Sequence, residues 1–140
     1  MIRYGAMRAR GNARCKSGKR SDLGDCYFRS AWEANYARVL EWKRSAGGIW
    51  RWEYEPQPPF EFYEVRHGIR WYLPDFKIWE TEDDKRPYYV EVKGWMDPAS
   101  KTKLRRMKKY YPDIKIVLVQ KKEMSILGAQ MKGLIPEWEG

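Results

Sequence analysis

Four side chains of this 140-residue sequence have the types and spacing that metal-assisted phosphodiester cleavage requires: Glu33, Asp75, Glu91 and Lys93. Only Val92 separates Glu91 from Lys93, so on a strand the two side chains project from the same face. Carboxylates can hold a divalent cation that neutralises a phosphoryl group and activates water. These four residues are therefore the predicted catalytic set.

Each candidate has an expected role. Asp75 and Glu91 are predicted to bind the cation directly, with the backbone carbonyl of Val92 as a third ligand, and Glu33 is predicted to complete a second metal position. Lys93 would orient or help to deprotonate the attacking water and would offset negative charge in the transition state. The expected cation is Mg²⁺, with Mn²⁺ able to substitute. The simpler alternatives are an exposed Glu33 and a cross-strand ion pair between Glu91 and Lys93.

Periodic patterns predict the elements that position these residues. Trp32, Tyr36, Val39 and Leu40 recur at helical spacing between Tyr27 and about Ser45, with Ser30 or Asp25 as the cap. Five segments that alternate or run apolar predict strands, and a helix is predicted from about Asp97 to Tyr111. The strand segments are Ile49 to Tyr54, Phe60 to Val65, Ile69 to Trp79, Tyr88 to Lys93, and Ile114 to Val119.

The order of these elements predicts a fold of the mixed α/β (α+β) class. Arg66-His67-Gly68 and the stretch from Glu80 to Pro87 are expected to close two hairpins, so the first strands are antiparallel. The strand-helix-strand ending requires a right-handed crossover, which makes the last strand parallel to Tyr88–Lys93. We therefore expect a mixed central sheet flanked by helices.

Positive charge is concentrated at two places in the chain. The net charge is +9, and residues 1 to 20 carry +7 of it without any acid. Such a segment cannot bury enough apolar surface to fold alone and suits binding along phosphates, so it is predicted to be a flexible DNA-binding arm. The predicted phosphate-binding residues are Arg3, Arg8, Arg10, Arg14, Lys16, Lys19 and Arg20 in the arm, and Lys101, Lys103, Arg105, Arg106, Lys108 and Lys109 in the second helix. A solubilising tail is the alternative for the arm.

Length and composition predict one domain, from residue 21 to 140, after the arm. No apolar run is long enough for a membrane span or a secretory signal, so a cytoplasmic protein is expected. Cys15, Cys26 and His67 cannot complete a four-ligand zinc site within one chain, although a dimer could pool four cysteines. A disulfide is possible, but two reduced thiols are the default expectation in a reducing compartment.

The motifs Leu73-Pro74-Asp75-Phe76 and Val90-Glu91-Val92-Lys93-Gly94 resemble the signature of the PD-(D/E)xK nuclease superfamily, which has a restriction-endonuclease-like core. Ser30-Ala31-Trp32-Glu33 is similar to the place where that superfamily often supplies a further glutamate. Within it, the order of motifs and the ending Leu134-Ile135-Pro136-Glu137-Trp138 resemble the phage endonuclease I family of Holliday-junction resolvases. The resemblance covers roughly residues 22 to 138. It implies a magnesium-dependent homodimer that cuts two strands of branched DNA symmetrically.

The predicted function is accordingly that of a structure-selective endodeoxyribonuclease acting on four-way junctions. Two alternatives stay open. One is a restriction-like or transposon-end-cutting nuclease subunit, which would need a second specificity domain. The other is a non-catalytic nucleic-acid-binding module in which Glu91 and Lys93 form only an ion pair.

Overall fold

The computed structural model describes residues 16–140. Within them, three helices and eight strands form a mixed α/β domain, as the sequence predicts. The strands are β1 (Gly18–Arg20), β2 (Cys26–Phe28), β3 (Arg51–Tyr54), β4 (Phe60–Glu61), β5 (Trp71–Tyr72), β6 (Phe76–Trp79), β7 (Tyr88–Val92) and β8 (Ile116–Val119); the α-helices are α1 (Ala31–Ser45), α2 (Pro98–Tyr110) and α3 (Lys121–Met131).

A four-stranded mixed sheet in the order β3-β6-β7-β8 is the centre of the domain. β6 pairs antiparallel with both β3 and β7, and β8 pairs parallel with β7 through the α2 crossover. This confirms the mixed sheet and the second hairpin. β1 with β2 and β4 with β5 form two small antiparallel sheets.

Strand alternation divides the apolar residues between the two faces of the central sheet. Trp52, Phe76, Ile78 and Val90 point to the face covered by α1 and α3, where they form the main core with Leu40. The opposite face is covered by α2 and the β4–β5 sheet, whose own core contains Phe62, Tyr72 and Met107. Side chains at the ends of the strands are therefore enclosed from both sides.

The first helix begins later than the sequence predicts, at Ala31 and not Tyr27. The residues before it form β2, which pairs with Gly18–Arg20, and the Ser30 hydroxyl caps the helix by accepting from the Glu33 N–H at 3.1 Å. The predicted arm overlaps the described residues at its C-terminal end. Its last three residues are strand β1, and Arg20 is tied to Glu139 at 2.6 Å.

All five predicted strand segments are shorter in the structure, and two of them differ most from the prediction. Only Phe60–Glu61 of the segment up to Val65 is strand, and the segment from Ile69 to Trp79 is divided into β5 and β6. The division falls at Leu73-Pro74-Asp75, where proline has no N–H to donate to a ladder. The interruption places Asp75, one of the predicted catalytic residues, immediately before β6.

Helix α3 was not predicted. Met124, Leu127 and Met131 recur at helical spacing, but Gly128 interrupts the helix and no side chain caps its first turn. It nevertheless packs against α1, and the C-terminal segment docks on both helices, with Ile135 buried between Val39 and Met131. The apolar C-terminal residues therefore find a binding surface within the same chain.

Candidate active site

Three carboxylates lie in one row across the central sheet. The register pairs Tyr54 with Phe76 and Phe76 with Val90. One residue further along, Glu55 and Glu91 stand opposite Asp75 on its two sides, and the Glu55 N–H donates to the Asp75 carbonyl at 2.7 Å. Directly opposed positions on neighbouring strands have Cβ atoms about 5 Å apart. The sheet therefore brings Glu55, Asp75 and Glu91 together at one end of the strands β3, β6 and β7.

Asp75 is the central and most buried member of the row, with 1% of its surface exposed. Its Oδ2 accepts the Val92 N–H at 2.7 Å, which holds the carboxylate toward the end of β7. Burial and the charges of Glu91 and Glu33 raise the pKa of Asp75 well above its usual range. The site thus holds a carboxylate whose negative charge is poorly compensated by the protein alone.

Glu91 is fixed by a residue that the sequence analysis did not single out. The Tyr72 hydroxyl donates to Glu91 Oε2 at 2.8 Å. Burial raises the pKa of Glu91, while the Tyr72 hydrogen bond and the Lys93 charge act in the opposite direction. The sequence pattern around Tyr72 could not indicate this contact. The contact depends on the break between β5 and β6, which the pattern does not show.

Glu33 reaches the row from the first turn of α1. Its backbone N–H and its Oε2 both bond to the Ser30 hydroxyl, each at 3.1 Å, so the cap fixes the carboxylate as well as the helix. The first turn of α1 packs closely on Gly94, because a Cβ at that position would lie only 3.2 Å from the Trp32 ring. Glu33 is 6% exposed, so the alternative of an exposed helix glutamate is wrong.

Arg29 links the carboxylates from the mouth of the site. Its Nη2 lies 2.9 Å from Asp75 Oδ1 and 3.3 Å from Glu33 Oε1, and its Nε lies 3.6 Å from Glu55 Oε1. Burial lowers the pKa of Arg29, but the charges of Glu33 and Asp75 outweigh it and the net direction is upward. Its spacing of four residues from Glu33 could have indicated that one ion pair, but no local pattern indicates its contacts with Asp75 and Glu55.

Glu55 is the second residue that the sequence analysis missed. It is 2% exposed, and among the described residues neither of its carboxylate oxygens has a hydrogen-bond donor. Its backbone has φ 48°, a left-handed conformation that side-chain-bearing residues seldom adopt. Burial raises the pKa of this carboxyl and Glu33 adds to the effect, while Arg29 and the neighbouring Tyr54 hydroxyl act in the opposite direction. A strained backbone and a buried charge without hydrogen bonds are both costly, and they are typical of functional sites.

Lys93 lies at the end of β7, at the same end of these strands. Its ammonium is 3.8 Å from Asp97, the residue whose carboxylate caps α2 by accepting from the Ser100 N–H at 2.7 Å. About a third of the Lys93 side chain is exposed. For Val92, the contact within the site is through its N–H; ligation by its carbonyl stays a prediction.

The donor set of the site suits a hard cation. Four carboxylates converge there, and one of them, Glu55, has no hydrogen-bond donor within residues 16–140. Mg²⁺ and Mn²⁺ prefer such oxygen ligands. Over the same residues, no group of three or more His, Cys, Asp or Glu side chains is already arranged to hold an ion. The Arg29 guanidinium contacts three of the four carboxylates, Glu33, Glu55 and Asp75.

Comparisons with known proteins identify no relative. No family model, curated protein or solved structure matches the chain. Assignment of a function therefore depends on the chemistry of the site and on the sequence motifs.

The predicted phosphate-binding residues divide into three groups. Arg3, Arg8, Arg10 and Arg14 lie outside the described residues, as does Cys15. Lys16, Lys19, Lys101, Arg105, Lys108 and Lys109 are exposed, and Lys103 is half-buried. Two others are engaged within the protein: Arg20 with Glu139, and Arg106 with the Ile69 carbonyl. Those two contacts tie chain segments together, which indicates a structural role for both arginines.

The remaining sequence predictions have simpler outcomes. His67 is exposed in the long connection between β4 and β5, and Cys26 is buried in the main core. Over residues 16–140, none of the helices has the length and apolar character that crossing a bilayer would require.

Proposed function

We propose that this protein is a metal-dependent endodeoxyribonuclease that cuts branched DNA. The observation that carries the proposal is the position of Asp75 beside Glu91 at one end of the strands, with Glu33 arriving from α1 and Lys93 following at the end of β7. Two carboxylates beside a lysine form a minimal set for metal-assisted phosphodiester hydrolysis.

The roles follow from position and burial. Asp75 and Glu91 would hold Mg²⁺ or Mn²⁺, and Glu33 would contribute to a second position. The bound cation would supply charge neutralisation at the phosphoryl group and a more acidic water. Lys93 approaches from the partly exposed side, where its ammonium would contact the phosphate or the attacking water. Tyr72 keeps Glu91 oriented toward the row.

DNA is the substrate that the charge distribution favours. Exposed basic residues follow the site on α2, and more positive charge precedes the domain in residues 1 to 15. Both would attract phosphates without reading base sequence. The preference for four-way junctions and the homodimer are implied by the resemblance to the phage endonuclease I family, and they are the finer part of the proposal.

The contacts of Lys93 bear on the alternative of a non-catalytic binding module. That alternative predicts an ion pair between Glu91 and Lys93 on a solvated face. Glu91 is instead hydrogen-bonded to Tyr72, and the ion pair that the structure gives Lys93 is with Asp97. A binding module would also have no use for the buried carboxylate of Glu55, which lacks a hydrogen-bond donor among residues 16–140.

The deciding experiment compares cleavage of four DNA substrates at equal concentration with Mg²⁺. We expect paired nicks in a synthetic four-way junction, weaker cutting of flaps and mismatches, and little cutting of linear duplex. Chelation by EDTA should stop cutting, and Mn²⁺ should restore it. Equal rates on junction and linear duplex would contradict junction selectivity but leave the nuclease proposal intact. No metal-dependent cutting of any substrate would contradict both.

Truncation before Lys16 tests the arm. Removing residues 1 to 15 deletes four arginines and leaves strand β1 in place. We expect weaker junction binding and a plot of log K against log[salt] that is shallower by about 0.9 for each phosphate that the arm neutralises in the full chain. The measurement is a filter-binding or anisotropy series at several salt concentrations. A variant in which the four arginines are replaced by lysine should keep the slope. An unchanged slope after truncation would mean that the segment does not touch DNA.

A further inference from the structure

Glu55 has features that a structural residue would not need. It is almost fully buried, its carboxylate oxygens find no hydrogen-bond donor among the described residues, and its φ of 48° is strained. A buried carboxylate without hydrogen bonds destabilises a fold, and a neutral residue at this position would avoid the cost. Its presence calls for a positively charged ligand.

The position of Glu55 indicates which ligand. In the row across the sheet, Asp75 has Glu91 on one side and Glu55 on the other. The Glu91 side is the first cation position of the proposed nuclease. On the Glu55 side, Glu33 completes a second set of three carboxylates that shares Asp75 with the first.

The guanidinium of Arg29 already occupies this second set. It is within 2.9 Å of Asp75, 3.3 Å of Glu33 and 3.6 Å of Glu55, so one cationic group faces all three carboxylates. About a third of its side chain is exposed. Arg29 lies between β2 and α1 and is not part of the central sheet.

We infer that Glu55, with Glu33 and Asp75, forms a second divalent-cation position in the active site, and that the Arg29 guanidinium fills this position until the cation binds. The inference rests on the proposed metal-dependent function and adds a ligand that neither the motifs nor the resemblance contains. Arg29 is a competitor for the carboxylates in this arrangement. Release of its guanidinium at the mouth of the site also leaves it free to contact a DNA phosphate.

The test counts bound Mn²⁺ on the full chain by electron paramagnetic resonance of the free ion, with calorimetry of Mg²⁺ in parallel. We expect the wild type to bind two cations. Glu55→Gln should weaken the second cation at least about tenfold and leave the first unchanged. The matched control is Glu53→Gln, a buried glutamate of β3 that pairs with Arg51, and it should keep both cations. Arg29→Gln should tighten the second cation, because the competing charge is gone.

The outcomes separate this inference from the proposed function. Unchanged binding of both cations in Glu55→Gln, or a wild type that binds one Asp75-dependent cation insensitive to Glu55→Gln, would overturn the inference while the nuclease proposal stands. Weaker cation binding in Arg29→Gln would overturn the claim that the Arg29 guanidinium competes with the second cation. A wild type that binds no divalent cation through Asp75 would overturn both proposals. Gln at position 55 removes a buried charge and keeps the side-chain shape, so we expect that variant to fold.

Discussion

Asp75→Asn should abolish DNA cutting and at the same time make the metal-free protein more stable. If Asp75 binds the cation as proposed, its loss removes several kcal/mol of transition-state stabilisation, which corresponds to at least about a thousandfold in rate. Stability should rise because the Asp75 charge is buried beside Glu91 and Glu33, and its raised pKa means that the contacts with Arg29 and Val92 do not fully compensate this cost. Asparagine keeps the shape and an oxygen that can accept the Val92 N–H.

Two measurements check this prediction. One is the single-turnover cutting rate on a junction, and the other is urea unfolding in EDTA. Asp83→Asn is the control, because Asp83 is an exposed carboxylate in the connection before β7 and should change neither quantity. A variant that is inactive and also less stable would indicate that Asp75 is mainly a partner of Arg29.

The buried charge of Asp75 should also make the stability of the folded protein depend on pH. The ordinary pKa of Asp75 is 3.8, and burial with neighbouring carboxylates raises it in the folded state. Between the two values the folded protein binds more protons than the unfolded chain, so stability falls as pH rises through this window. The gain from Asp75→Asn should therefore be larger at about pH 8 than at about pH 4. A gain independent of pH would mean that charge is not its cause.

The parts of the site that the sequence could predict are those set by local periodicity. Alternation is enough to put Glu91 and Lys93 on one face, and Asp97-Pro98 is enough to start α2. The hairpin between β6 and β7 then brings Asp75 beside Glu91. These inferences need only the pairing of neighbouring segments, which is why they agree with the structure.

Glu55 and Arg29 could not be predicted in this way. Glu55 follows β3, which pairs with β6 and not with the next segment in the chain, so its place opposite Asp75 depends on a long-range register. Arg29 is the single residue between β2 and the helix cap Ser30, and periodicity assigned it to the helix itself, so its contacts with Asp75 and Glu55 depend on tertiary structure. Helix α3 was missed for a similar reason. It is held by packing against α1, and its own pattern is weak.

Lys93→Met should lower the cutting rate by about 10²- to 10⁴-fold while junction binding stays within about twofold of the wild type. In the proposed complex many basic side chains would contact the DNA, but Lys93 is the lysine at the end of β7 whose charge acts on Glu91, where the scissile phosphate would lie. Methionine keeps the length and the apolar stem of the side chain. Asp97 retains its hydrogen bond to the Ser100 N–H, so α2 should be unaffected.

The matched control for this variant is Lys85→Met, which removes an exposed lysine from the connection between β6 and β7. It should cut at the wild-type rate. Lys93→Arg keeps a positive charge but replaces a compact ammonium, which can lose a proton, with a guanidinium that stays charged. If Lys93 only offsets phosphate charge, Lys93→Arg should recover most of the rate. If Lys93 moves a proton from water, Lys93→Arg should be nearly as slow as Lys93→Met. Wild-type cutting by Lys93→Met would contradict either role, because each role requires the Lys93 ammonium, whose charge acts on Glu91.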